Sequence, residues 1–153
     1  PGDDIGHPIP DLTGYITEGQ IVLDRDLDRR DISPPINVLP SLSRLMDYGT
    51  GEGFTHPDHP ALASQLFAAY AQARKVRILA SVMGQEGLSD IDRDYLVFGD
   101  RFEQDLVNHD ASRTLEESMA AGWKVLGLLP DIELTRLTNE QIERFVRGGV
   151  TRG

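Results

Sequence analysis

The sequence predicts a predominantly helical protein, in which an incomplete, strand-bearing segment leads into an all-α bundle of four helices. Three observations carry this. Six of the nine prolines fall in the first fifty residues, which read as short extended pieces and turns, and the composition changes at Gly49-Thr50-Gly51-Glu52-Gly53. One short β-type run, Gln20-Ile21-Val22-Leu23, stands between Gly19 and Asp24. Downstream, a capping side chain, an acceptor three residues later and an apolar stripe at helical spacing recur three times. With 153 residues, 39% of them hydrophobic, the chain can bury roughly two-thirds of its unfolded surface in an ordinary core.

Taken in order, the run at residues 20–23 is too brief to make a sheet by itself. A sheet whose other strands lie upstream of Pro1 or in another chain is therefore expected. Asp24-Arg25-Asp26-Leu27-Asp28 resembles the start of a calcium loop, but the turn position that needs glycine is Arg29 and the bidentate position is Pro35. A short solvated helix with local ion pairs accounts for it better. A helix from about Pro60 to Leu79 turns Leu62, Leu66 and Tyr70 inward. Ser89 with Asp92 opens a second, striped by Ile91, Tyr95, Phe98, Phe102 and Leu106. Thr114 with Glu117 opens a third, with Leu115, Met119, Gly122, Leu126 and Leu129 on one face and Pro130 as its stop. Thr138 with Gln141 opens a short fourth carrying Ile142, Phe145 and Val146.

The charge narrows the partners. Twenty-five acidic against 15 basic residues give −10, which repels phosphate backbones and argues against nucleic acid or an anionic membrane surface. There is no cysteine, hence no disulfide or thiolate metal site, and no run of 18 apolar residues. Any membrane link is expected to be indirect.

Nucleotide chemistry fails its first test. A phosphate-binding loop needs a lysine directly after its last glycine, and both lysines follow other residues, Arg74 and Trp123. Gly49, Gly51 and Gly53 read as a hinge. His56 and His59 flank Asp58 but have no evident third metal ligand; His7 belongs to an acidic terminus, and His109 suits a helix C-terminus. The aromatics at 95, 98, 102 and 123 read as core. No metal site is expected.

Two longer stretches say more. Ile9-Pro10-Asp11-Leu12-Thr13-Gly14-Tyr15-Ile16-Thr17-Glu18-Gly19-Gln20-Ile21 is followed by Pro34-Pro35-Ile36-Asn37-Val38-Leu39-Pro40-Ser41-Leu42-Ser43-Arg44-Leu45-Met46. With Asp58-His59, Gln65-Leu66-Phe67-Ala68-Ala69-Tyr70-Ala71 and Leu88-Ser89-Asp90-Ile91-Asp92, they make a chain that resembles the B subunits of vacuolar/archaeal-type ATPases. These are relatives of the alpha subunit of F-type ATP synthases. The likeness fades after about Leu134.

The resemblance implies that residues 1–53 are the closing part of a P-loop-type α/β nucleotide-binding domain and residues 54–153 the C-terminal helical domain. It implies a non-catalytic subunit that alternates with catalytic A subunits in a six-membered ring, faces a central rotor stalk and serves ATP-coupled proton or sodium transport. The location implied is cytoplasmic, peripheral to the membrane. ATP or ADP with magnesium would sit at the A/B interface, ligated by the partner, and Arg44 would reach it as an arginine finger. Tyr15, Ser41 and Ser43 would line that interface; a buried tyrosine and two turn serines are the alternative. Where the family carries a basic residue and then Thr-Arg-Glu-Asp-His, this chain has Phe54-Thr55-His56-Pro57-Asp58-His59, which puts that loop's usual contacts in doubt. A stand-alone helical interaction module and a piece of a catalytic ATPase subunit are the competing readings.

Overall fold

The computed structural model describes residues 17–109 and 111–148. His7 and Tyr15 lie outside them. The chain is mostly helical with a small two-strand sheet: β1 (Gly19–Leu23), α1 (Arg25–Arg29), β2 (Ile36–Ser43), α2 (His59–Met83), α3 (Asp90–Phe102), α4 (Leu115–Leu126) and a final turn, α5 (Asn139–Gln141). α3 runs on into a π-helical turn, Glu103–Val107, and α5 into another, Ile142–Arg147.

β1 does have a partner in its own chain. It pairs antiparallel with β2, in a register that sets Gly19 against Ser43, Gln20 against Leu42, Val22 against Asn37 and Leu23 against Ile36. The expectation that the nearest strand lies upstream or in another chain is thus corrected. β2 escaped notice because Pro34, Pro35 and Pro40 break its β pattern. Pro40 has no N–H for a ladder, and it sits where the register shifts and none is needed.

α1 is the short ion-paired helix expected. The Asp24 carboxylate takes the Asp26 N–H at 2.8 Å, and Arg29 meets Asp26 at 2.6 Å. Its far end closes by a motif the sequence did not announce. Ile32 N–H reaches back to the Leu27 carbonyl and Asp31 N–H to that of Asp28, both at 3.0 Å, with Asp31 at φ 57°. This pairing satisfies two end carbonyls and brings Leu27 and Ile32, each 1% exposed, together beneath the turn.

The bundle follows the capping signals. Ser89 with Asp92, Thr114 with Glu117 and Thr138 with Gln141 all form reciprocal capping boxes, each side chain bonding the other residue's backbone N–H. α2 outruns its expected end by four residues, to Met83, and stops at Gly84, φ 77°. The core joins Tyr70, Ala73 and Val76 of α2 to Phe98 and Phe102 of α3 and Trp123 and Leu126 of α4. Tyr70 stacks on Phe102 with centroids 4.4 Å apart, and Trp123 on Phe145 at 4.9 Å. Gly122 permits the close crossing of α2 and α4, since a Cβ there would come within 2.9 Å of Leu66 Cδ1.

Two stripe residues differ from expectation. Ile91 and Leu115 are exposed, because each falls in a first turn and the inward stripe begins only at Tyr95 and Met119. The fourth helix is a single α-turn continued as π-helix, although Ile142 and Val146 are buried as anticipated. Arg147 fastens that end to the segment just after α4, donating to the Gly127 and Leu129 carbonyls at 2.9 and 2.7 Å.

Candidate functional site around Arg44

Arg44 leaves the end of β2, and its position is set by how that strand is built. Between the Gln20–Leu42 and Val22–Asn37 pairs, β1 advances by one residue while β2 passes residues 38–41. This bulge leaves ladder groups without partners. Ser41 supplies the substitute: its hydroxyl accepts the Val22 N–H at 3.0 Å and donates to the Asn37 carbonyl at 2.6 Å. Gln20 Nε2 donates to the Pro40 carbonyl at 3.0 Å. Val38 and Leu39, inside the bulge, pack against the helical core.

Past the bulge the strands close up again. A Cβ on Gly19 would lie 2.8 Å from the Leu42 carbonyl oxygen, so only glycine admits this approach. Arg44 N–H then donates to the Glu18 carbonyl at 2.8 Å, fixing the backbone from which the guanidinium projects.

The sequence-predicted site residues therefore separate. Ser43 and Arg44 are exposed neighbours at the strand end. Ser41 is half-buried, and its hydroxyl makes the bulge. Ser41→Ala is expected to cost about 1 to 3 kcal/mol of folding stability, by leaving the Val22 N–H without its acceptor; urea denaturation would measure it.

Apolar side chains surround Arg44 along the chain. Leu42, Leu45, Met46 and Tyr48 are 48%, 55%, 54% and 76% exposed, and Phe54 is 73% exposed. An arginine among exposed Leu, Met and aromatic residues has the composition of a protein–protein interface core. No sequence motif singled these residues out for that role, yet Leu45-Met46-Asp47-Tyr48 was legible as an apolar run with no helical or strand period.

The other candidates resolve as local structure. His56 Nδ1 accepts the Asp58 N–H at 3.2 Å, and His59 Nδ1 lies 3.1 Å from the Thr55 hydroxyl. Gly51 and Gly53, at φ 92° and 88°, form the turn between Arg44 and α2. His109 donates its N–H to the Ser33 carbonyl at 2.9 Å, beyond the end of the π turn.

One cluster was missed altogether. Glu103, wholly buried at the start of the π turn, meets Arg30 at 2.5 Å, Arg77 at 2.8 Å and the Tyr70 hydroxyl at 2.8 Å. Asp100 lies 2.9 Å from Arg77 and 3.4 Å from Arg30. Burial alone would raise the Glu103 pKa; the hydrogen bonds from Arg77, Tyr70 and Arg30 outweigh it and hold the carboxyl below the ordinary glutamate value. For Tyr70, burial and then the Glu103 charge push the phenol well above its usual range. The cluster ties α1 to α2 and α3, and the Ser33 N–H adds a bond to Asn108 Oδ1 at 2.9 Å. No residue type in the sequence signals a glutamate of this kind; only the fold brings its partners together.

Fold and site together define a C-terminal helical domain entered through a strand pair that presents an exposed arginine among apolar side chains. The chain belongs to the family of the C-terminal domain of V and A type ATP synthase, whose pattern matches residues 48–146. Residues 1–43 match the nucleotide-binding domain of the ATP synthase alpha/beta family. It is 58% identical over 147 residues to the B subunit of an A-type ATP synthase of Methanopyrus kandleri, covering 95% of this chain and 15% of that protein. It is 54% identical over 152 residues to a V-type ATP synthase beta chain of Halothermothrix orenii, covering 98% of this chain and 33% of the other. Among solved structures, the ATP synthase subunit NeqB of Nanoarcheaum equitans is similar with a TM-score of 0.75 at 40% identity, over 85% of this chain and 33% of that one. The chain thus spans a third or less of the length of these relatives. Among the described residues no helix is long and apolar enough to cross a membrane.

Proposed function

We propose that this chain is part of a non-catalytic B subunit in a rotary ATPase ring, where Arg44 serves the ATP site of a neighbouring A subunit and so ATP-coupled proton or sodium transport. The observation that carries the reading is Arg44 itself. It is exposed at the end of a strand whose bulge, glycine contact and backbone bond to Glu18 fix its origin, and exposed apolar residues flank it. Relatives named as a B subunit or a beta chain, 54–58% identical over nearly the whole chain, support the assignment. In this reading residues 1–53 close a P-loop-type nucleotide-binding domain and residues 54–153 form the C-terminal helical domain. The whole protein sits in the peripheral, cytoplasmic head, with the A subunit and the central rotor stalk as partners.

The chemistry asks one thing of this chain. During phosphoryl transfer, negative charge spreads over the γ-phosphoryl oxygens, and a planar guanidinium can donate to two of them at once. Such an arginine has to be exposed and backbone-anchored, as Arg44 is, and in this proposal it stands at the edge of its subunit. Magnesium, when bound with ATP, neutralises and positions the phosphates, and in this proposal the A subunit holds both. Ser43, exposed beside Arg44, is placed at the rim of the same contact, and Tyr15 is proposed for that interface from its motif alone. A structure of the nucleotide-loaded ring is expected to show the Arg44 guanidinium within about 3 Å of a terminal phosphate oxygen. A guanidinium pointing to solvent there would refute the assignment.

A further inference from the structure

A cleft of about 390 Å³ opens between α1 and the middle of α2, lined by Asp26, Arg29, Arg30, Arg74, Arg77 and Ile78. Four of these six residues are arginines, in a chain with only 15 Lys+Arg against 25 Asp+Glu, so general basicity does not explain them. Three of the four are neutralised. Arg29 pairs with Asp26, while Arg30 and Arg77 share Glu103 and Asp100.

Arg74 is different. It is partly buried, and among the described residues it has neither a hydrogen bond nor an ion pair. Four guanidiniums against the three carboxylates of Asp26, Asp100 and Glu103 leave one positive charge, and it rests on Arg74. Donors are also in excess. A guanidinium has five N–H groups; Arg29 gives one Nη to Asp26, Arg30 one Nη to Glu103 and Asp100, and Arg74 none. Among the described residues the Arg74 donors have no protein acceptor, and they open to solvent in the cleft, so an anion can take them by displacing water.

We propose that this cleft binds a phosphate-type oxyanion, with Arg74 as its principal ligand and Arg29 and Arg30 completing the shell. A carboxylate is served by one guanidinium fork, whereas a tetrahedral oxyanion accepts from several directions at once, as this arrangement requires. Ile78, 67% exposed at the rim, can touch whatever group carries the phosphate. The ligand is either free phosphate or the phosphoryl end of a nucleotide. The site is separate from Arg44 and does not depend on the role proposed there.

Calorimetric titration of the protein at constant ionic strength tests this, with inorganic phosphate, pyrophosphate and ADP as probes and chloride and acetate as controls. Saturable phosphate binding is expected, weakened at least tenfold in Arg74→Gln. That variant should melt like the wild type, because Arg74 has no partner to lose. ADP bound by Arg44→Ala but not by Arg74→Gln would make the source a nucleotide; phosphate binding without ADP binding would make it the free ion. Undiminished phosphate binding by Arg74→Gln, acetate binding as tight as phosphate, or no saturable binding would each overturn the proposal.

Discussion

Replacing Arg44 by alanine in a reconstituted ring is expected to lower ATP turnover by roughly three to five decades, about 4 to 7 kcal/mol of barrier, while assembly and nucleotide affinity stay near wild type. The size follows from where the charge develops. Ground-state ATP already has magnesium and a phosphate cradle in the proposed site, so binding loses little when one more cation is removed. The transition state, with charge spread over oxygens that the cradle does not fully cover, loses its matched donor. Arg44→Lys should recover only part of the rate, because an ammonium keeps the charge without the planar fork. Steady-state turnover, with nucleotide affinity measured in parallel, separates these effects. Equal loss of affinity and turnover would indicate a damaged interface, and unchanged turnover would end the finger proposal.

Truncating Glu103 should have the largest effect on folding. Glu103→Ala removes the common partner of Arg30, Arg77 and Tyr70 from a wholly buried position, which costs about 3 to 5 kcal/mol. Glu103→Gln keeps the shape and loses the charge, and it also removes a pH dependence. The folded carboxyl titrates below its unfolded value, so its contribution is complete above about pH 4.3 and is lost as pH falls through the lower, folded value. Wild type and Glu103→Gln should therefore differ most near neutrality and converge in acid. Urea denaturation at pH 7 and again below pH 4 measures this; a gap that stays constant across that range would show that the charge contributes nothing.

What the sequence made legible was what is local. Each capping box needs only four consecutive residues, so Ser89, Thr114 and Thr138 marked their helix starts correctly. Core aromatics announced themselves by spacing. β2 did not, because its strand character depends on a bulge that hides Pro40 and recruits the Ser41 hydroxyl, and bulge geometry has no period. Arg44 could be named only through its motif, since an exposed arginine looks like any other in composition. Glu103 was illegible for a different reason: in an amphipathic pattern a glutamate reads as solvent-facing, and only the joining of α1 to α2 and α3 places Arg30 and Arg77 around it. Arg74 shows the same limit from the other side, because an arginine without a partner can be recognised only once every neighbour is in view.

Ser33 gives its N–H to Asn108 and receives the N–H of His109, so the approach to β2 is stitched to the end of α3 at two points beside the Glu103 cluster. Residues 24–39 therefore share the thermodynamic fate of the helices. Detaching the strand would break these bonds to the bundle, and a tilt of α3 is expected to be felt at the base of β2, which ends one residue before Arg44. In the proposed ring the helices would be the handle, and the arginine the tip of the tool.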